Sequence, residues 1–183
     1  DGRTIWDGSM PNDAPEYRRE TYLAMIDTLA QLHNVDVEAV GLSEFGKPGN
    51  YFGRQVDRWT KQYRLSETEL MPEMEQLIEW LPATLPEQTR TSVVHGDYRI
   101  DNMIWAKDKP EVLAVLDWEL STLGHPLADL GYFCMALRLP RNPALPGLAG
   151  LDRAALGIPD EAALLARYSR VTGRPIPEDW PFV

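Results

Sequence analysis

The chain has 183 residues, of which 44% are hydrophobic and 25% are charged, a composition typical of one globular domain or of part of a larger one. Its net charge of -10 argues against a nucleic-acid partner, because proteins that bind the phosphate backbone usually carry a basic face. The single cysteine, Cys134, excludes a disulfide framework within one chain and fits a cytoplasmic location. No stretch approaches the roughly 20 apolar residues of a membrane span, so we expect no membrane partner.

The first half of the chain has the apolar periodicity of helices. Residues 1–15 are rich in glycine, proline, asparagine and aspartate, which predicts a linker. Apolar side chains then recur at helical spacing over 16–33, which predicts a helix with Asp13 as its N-cap. Two further amphipathic stretches lie within 52–63 and 70–81 and predict two more helices.

These three predicted helices form a helical bundle in our interpretation. The aromatic residues Trp59, Tyr63 and Trp80 stand at the spacing of core positions. We therefore expect them to pack inside the bundle rather than to form a ligand cage.

The middle of the chain changes to the shorter period of strands. Short apolar runs at 92–94, 102–105 and 112–116 predict three strands, and the polar residues 107–110 predict a hairpin turn between the last two. Helices are predicted to resume over 127–139 and, after a loop rich in proline and glycine, over 160–172.

One loop beside the first of these strands combines an aspartate and an asparagine, Asp97 and Asn102, five residues apart. This is the spacing of the kinase catalytic loop, in which the aspartate accepts the proton of the substrate hydroxyl and the asparagine binds magnesium. Asp117 follows at the end of the next strand, and the hairpin returns it beside Asn102. Magnesium prefers hard oxygen ligands and commonly takes one or two from the protein, so Asn102 and Asp117 are predicted to supply that pair.

Two segments carry a resemblance to a known family. The run VVHGDYRIDNMIW at 93–105 and the run VLDWELSTLGHPLADLGY at 115–132 resemble the aminoglycoside phosphotransferase family of kinase-like enzymes. Within it, they are most similar to the phosphotransferase domains associated with acyl-CoA dehydrogenases. The resemblance implies an α+β fold that corresponds to the C-terminal lobe of a protein-kinase-like enzyme. This lobe would be mainly helical, with a small β-hairpin that carries the catalytic and metal loops.

The resemblance also implies roles for individual residues. Asp97 would be the catalytic base, Asn102 and Asp117 would bind Mg²⁺ with ATP as the phosphate donor, and Asp129 would help to hold the catalytic loop.

Enzymes of this family have an N-terminal lobe that covers the nucleotide phosphates and supplies a lysine. No counterpart is visible here, since the four lysines, Lys47, Lys61, Lys107 and Lys109, lie in predicted loops or on a helix. We expect residues 1–15 to be the hinge or linker and 16–183 the C-terminal lobe, with the N-terminal nucleotide lobe absent. Residues 177–180 look like the start of a helix, so we also expect the C-terminus to be truncated.

Four further residues near the motifs have less specific patterns. His95 could be a general base, but we favour a structural role in which its ring bonds to the backbone and holds the loop. Asp129 is expected to bond to the same loop. Arg99 is either a phosphate or substrate contact or a solvated arginine. In an extended strand, Glu119 would share a face with Asp117. Its carboxylate would then face the substrate or support the site, or it would simply be a surface carboxylate.

The function predicted from the sequence is ATP-dependent phosphoryl transfer to a small-molecule hydroxyl, with a hydroxyacyl-CoA as the favoured acceptor. An aminoglycoside or a choline-like amine is the alternative substrate. A different class of function stays open, in which the chain is an inactive fragment or a binding module of kinase-like fold.

Overall fold

The structure is a computed structural model, and it describes residues 1–142, 146–178 and 180. Within this described part, helices surround two small antiparallel sheets, so the predicted α+β fold is confirmed. None of the described helices combines the length and the apolar character needed to cross a bilayer. The predicted C-terminal helix start at 177–180 includes residue 179, which lies outside the described residues.

The regular elements follow one another in an order close to that predicted. They are β1 (Gly2–Arg3), α1 (Pro15–His33), α2 (Tyr51–Ser66), α3 (Pro72–Ala83), β2 (Ser92–Val94), β3 (Met103–Ala106), β4 (Val112–Val115), β5 (Thr122–Gly124), α4 (Leu127–Arg138), α5 (Arg153–Leu156) and α6 (Glu161–Thr172). The elements β1, β5 and α5 were not predicted, because none of them has the apolar run that marked the other short strands or the length that reveals helical periodicity.

Helix α1 is present as predicted, but its predicted cap is wrong. Pro15 occupies the first turn, where a missing N–H costs nothing, and Ala14 therefore takes the N-cap position without a side-chain hydrogen bond. The carboxylate of Asp13 instead accepts a hydrogen bond from the guanidinium of Arg3 at 3.0 Å.

The main core lies between α1, α6, α4 and the sheet that contains β3. Helix α1 packs against α6 and β2, and it buries a continuous stripe of apolar side chains. The large side chains at the centre of this core are Met25, Ile26, Leu29, Trp105, Leu130 and Leu164. Each contributes roughly 1.5–3 kcal/mol of transfer free energy when buried.

Helices α2 and α3 pack against each other, and α2 also contacts β5, whereas α1 packs mainly with α6. The prediction of one three-helix bundle is therefore wrong. Trp59 and Trp80 are 53% and 45% exposed, so the expectation that they pack in a core is also wrong, and Tyr63 is half-buried. An amphipathic pattern identifies the apolar face of a helix but not the element that covers it.

The sheets bring the polar loops together. Strands β3 and β4 form an antiparallel hairpin in which Met103 is opposite Val115, and β1 pairs with the other edge of β3. Strand β2 pairs with β5 in a second antiparallel sheet. At the open end of the hairpin the backbone N–H of Leu116 donates to the carbonyl oxygen of Asn102 at 2.8 Å. The residues that follow each strand end are thereby held side by side.

Candidate active site

The loop that follows β2 turns sharply at Gly96. Its φ of +88° lies in the left-handed region, and a Cβ atom there would stand 2.8 Å from the carbonyl oxygen of Leu120. A side chain at this position would therefore meet both an unfavourable backbone conformation and a backbone clash. Glycine allows the loop to approach the 3₁₀ turn at Trp118–Leu120, which follows Asp117.

The carboxylate of Asp129 holds this turn. It accepts hydrogen bonds from the backbone N–H groups of His95 at 2.6 Å and of Gly96 at 2.8 Å, and the residue is only 1% exposed. Asp129 lies in the first turn of α4, where the helix dipole favours a negative charge. The Nε2 atom of His33 lies 3.3 Å from the same carboxylate. These contacts satisfy the buried charge and fix the loop backbone.

The imidazole of His95 joins the two loops of the site. Its Nε2 donates to the carbonyl oxygen of Leu116 at 2.8 Å, and its Nδ1 accepts from the backbone N–H of Asp97 at 3.2 Å. The side chain is fully buried and lies against the indole of Trp118. Because both ring nitrogens have backbone partners, neither is free to take a proton from a substrate.

Asp97 and Asn102 are in direct contact across the loop. The Nδ2 group of Asn102 donates to the backbone oxygen of Asp97 and to its carboxylate Oδ2, each at 2.9 Å. Both hydrogens of the amide are therefore used, and Oδ1 of Asn102 remains an acceptor. Both residues are half-buried.

Asp117 lies two residues after the end of β4 and has a left-handed backbone conformation, with φ 64° and ψ 60°. Such a conformation costs a residue other than glycine about 1 kcal/mol or more, and strained residues of this kind cluster at functional sites. The side chain is exposed, and its carboxylate has no hydrogen bond or ion pair within the part of the chain that the structure describes. The carboxylate is therefore available to a cation.

The prediction that Glu119 shares a face with Asp117 in an extended strand is wrong. The left-handed Asp117 ends the strand, and Trp118–Leu120 form a 3₁₀ turn. Glu119 is exposed and lines a separate cleft beside α2, together with Lys47, Arg54 and Arg58.

Arg99 belongs to a group of side chains that the sequence indicated only in part. Its Nε donates to the carboxylate of Asp101 at 2.9 Å, and this ion pair raises the pKa of Arg99 above its usual range. The hydroxyl of Tyr132 interacts with both Asp97 and Arg99. Burial raises the pKa of Tyr132, and the Asp97 carboxylate raises it further, so the phenol stays protonated.

Sequence reasoning missed Tyr132, although a signal was available. It lies three residues after Asp129 on the predicted helix, and residues at this spacing share a helix face.

A cavity of about 360 Å³ opens beside Arg99, Asp101 and Tyr132. Most of its wall is aromatic or aliphatic, and these lining residues include Trp6, Tyr22, Met25, Tyr98, Phe133, Met135, Leu139 and Leu148. Such a cavity suits a small molecule that has an apolar portion and a few polar contacts at one end.

The profile of the phosphotransferase enzyme family, APH, matches residues 1–170. The chain belongs to this family. A crystal structure of a candidate aminoglycoside phosphotransferase from Ralstonia eutropha agrees with it closely, with a TM-score of 0.95 and 53% identity over 100% of this chain and 56% of that one.

Two longer proteins are similar to this phosphotransferase-family chain. Mouse acyl-CoA dehydrogenase family member 10 is 49% identical over 96% of the chain, and the probable acyl-CoA dehydrogenase IBR3 of Arabidopsis thaliana is 39% identical over 100% of it. The chain spans only 17% and 24% of the lengths of these relatives.

A more distant structure shows the shared fold of the phosphotransferases. The type VIII aminoglycoside-3'-phosphotransferase superposes with a TM-score of 0.67 at 21% identity, over 98% of this chain and 63% of that one. At this identity the likeness concerns the fold alone, and it confirms the kinase-like architecture.

The donor atoms of this phosphotransferase-family site fit a magnesium ion. Oδ1 of Asn102 and the unpaired carboxylate of Asp117 are hard oxygen donors, the kind that Mg²⁺ prefers. Among the described residues no group of three or more histidine, cysteine, aspartate and glutamate side chains could hold a metal by itself. Two protein oxygens completed by phosphate and water are the usual arrangement for Mg²⁺, so the residues present fit this ion.

Proposed function

We propose that these residues form the catalytic lobe of an ATP-dependent phosphotransferase that acts on the hydroxyl group of a small molecule. The observation that carries this proposal is the contact between Asp97 and Asn102 in a loop whose backbone is held by Asp129. A carboxylate fixed in this way is suited to orient a hydroxyl group and to take its proton, and Tyr132, which interacts with it, lines the cavity.

The proposed reaction is an in-line transfer. The acceptor oxygen forms a bond to the γ-phosphorus of ATP, the bond from that phosphorus to the bridging oxygen breaks, and ADP leaves. The hydroxyl proton passes to Asp97 and then to water. Asn102 keeps one carboxylate oxygen of Asp97 in place through its Nδ2 group, so the other oxygen can face the acceptor. We assign Asn102 and Asp117 to Mg²⁺, which when bound would neutralise charge on the phosphates.

The acceptor that the cavity supports best has a hydrocarbon portion. Its wall is mainly apolar, and the one carboxylate among the described lining residues, Asp101, is already paired with Arg99. An aminoglycoside would need unpaired carboxylates for its ammonium groups, and the described lining offers none, whereas a choline-like amine could lie against the aromatic wall and is kept as the alternative acceptor. We therefore favour a hydroxyacyl-CoA, which also agrees with the names of the two longer relatives.

We further propose that residues 1–15 form the hinge and 16–183 the C-terminal lobe of a longer enzyme that also has a nucleotide lobe. A cytoplasmic location agrees with the single cysteine, Cys134, which is a buried free thiol. The competing proposal is a binding module without catalysis.

The test measures phosphoryl transfer by the full-length protein to hydroxyacyl-CoA, choline and an aminoglycoside, with Asp97→Asn as the variant. We expect transfer to the hydroxyacyl-CoA and a loss of kcat of about 10²- to 10⁴-fold in the variant. Asp108→Asn, at an exposed position in the hairpin turn, is the matched control and should keep full activity.

A second variant, Asp117→Ala, should abolish the magnesium-dependent part of ATP binding in calorimetry. An unchanged affinity for Mg-ATP would show that the metal assignment is wrong. Absence of transfer to any acceptor by the unmodified protein would favour the binding module.

A further inference from the structure

A cleft of about 380 Å³ lies between α2 and the segment that follows Asp117. Lys47, Arg54 and Arg58 contribute three positive charges to its wall, and Ser121 and Thr122 line it as well. The whole chain has a net charge of -10, so this cluster of three cations is opposite in sign to the overall charge of the protein. Such a local reversal of charge needs a specific explanation.

These three cations have no acidic partner among the described residues. Other cations on the same helix are paired: Lys61 lies 3.8 Å from Asp57, and Arg64 donates to Glu75 at 2.7 Å. Glu119 is the one carboxylate that lines the cleft, and it is not within ion-pairing distance of the cations in the described part of the chain. The cluster therefore keeps at least two uncompensated charges even when Glu119 is counted.

The position of the cluster adds to its positive potential. Arg54 lies at the end of the first turn of α2, which contains no acidic residue, and Arg58 lies one turn further along the same helix. Cations near a helix N-terminus are unfavourable, because the helix dipole is positive there, and an anion in the cleft would offset that cost.

Two of the cations are also restrained before any ligand binds. The guanidinium of Arg54 donates to the backbone oxygen of Lys47 at 2.8 Å and to that of Gly49. The guanidinium of Arg58 lies over the ring of Trp59, 5.4 Å from its centroid. A restrained cation loses less conformational entropy when it binds an anion.

We propose that Lys47, Arg54 and Arg58 form a binding site for a phosphate or pyrophosphate group. Arginine recognises phosphate oxygens through paired N–H donors, and lysine adds a point charge. The group belongs either to the nucleotide or to a phosphorylated portion of the acceptor, and this choice of source rests on the proposed function. The site itself does not depend on it.

The test is calorimetric titration of sodium pyrophosphate into the full-length protein at low ionic strength. We expect one site, with an affinity about tenfold weaker in Arg58→Gln, since one of three close charges is lost. Lys61→Gln removes the same charge from the same helix outside the cleft, and it should change the affinity less than about twofold. Equal weakening in both variants, or no binding by the unmodified protein, would overturn the proposal.

The same titration at saturating Mg-ATP identifies the source of the phosphate. Pyrophosphate binding that persists assigns the site to the acceptor, and binding that is lost assigns it to the nucleotide. Calorimetry needs no turnover, so the two proposals can fail separately. Pyrophosphate binding by a protein that has no kinase activity would contradict the proposed function and leave the phosphate site supported. Kinase activity together with unchanged pyrophosphate binding by the Arg58→Gln variant would contradict the phosphate site and leave the proposed function supported.

Discussion

Asp129 and Tyr132 lie three residues apart on α4 and reach two different parts of the same loop. Asp129 accepts hydrogen bonds from the loop backbone at His95 and Gly96, whereas the Tyr132 hydroxyl interacts with the Asp97 side chain. One face of α4 therefore supports both the backbone that carries the proposed base and the base itself.

Tyr132→Phe is expected to lower kcat about five- to fiftyfold and to leave the KM for ATP nearly unchanged. The phenyl ring keeps the packing, but Asp97 loses a hydroxyl partner that restricts its orientation, and misorientation of a catalytic group slows the chemical step. Steady-state kinetics and a thermal melt check this together. A variant with unaltered kcat would show that Tyr132 has no positioning role, and a large drop in Tm would point to folding instead.

Asp129→Asn should lower the free energy of unfolding by about 2–3 kcal/mol. The amide has one acceptor oxygen, so one of the two buried N–H groups of His95 and Gly96 would face an NH₂ group and lose its partner. Urea unfolding monitored by tryptophan fluorescence measures the change. Asp108→Asn serves as the exposed control, and a loss at Asp129 no larger than that of the control would contradict the contact.

Substitutions at two glycines can distinguish the energetic cost of backbone strain from that of a steric clash. Gly96 and Gly150 have φ values of +88° and +83°, but a Cβ atom meets the Leu120 carbonyl at 2.8 Å only at Gly96 and finds nothing within 4 Å at Gly150. Gly150→Ala should therefore cost about 1–2 kcal/mol of stability, and Gly96→Ala clearly more. Equal losses in chemical denaturation would mean that the loop yields and that the close approach is not required.

His125 should make the protein less stable in mild acid. Burial lowers its pKa below the ordinary 6.5, and the electrostatic interaction with His33 lowers that pKa further. The unfolded chain therefore takes up a proton at a higher pH than the folded chain does, so stability is full above about pH 6.5 and declines as the pH falls below it. The fall in Tm from pH 7.5 to pH 5.5 should be smaller in His125→Gln, and an equal fall in both proteins would exclude this contribution.

The proposed catalytic segment is the part of the site most accessible to sequence reasoning. The spacing of Asp97, Asn102 and Asp117 depends on short-range strand and turn patterns, and the hairpin that brings the last two together is also local. By contrast, no local pattern shows that Trp59 and Trp80 are exposed, because that depends on which element covers α2 and α3. Long-range contacts of this kind cannot be read from periodicity alone.

The cleft beside α2 shows the same limit. Arg54 and Arg58 share a helix face in the sequence, but Lys47 and Thr122 join them only through loops and through the pairing of β2 with β5. The restraint of Arg54 by two backbone carbonyls is likewise a tertiary feature.

The third neighbour of Asp129 is His33 of α1, whose other ring nitrogen lies 2.6 Å from the hydroxyl of Tyr168 on α6. The amide hydrogens of His95 and Gly96 thus bond to a group that is anchored between two long helices. Exchange of these amides with deuterated solvent requires α1 and α6 to separate, so it should be as slow as that of the central core amides and should proceed through cooperative unfolding. We therefore expect the loop that carries Asp97 to behave as part of the rigid core.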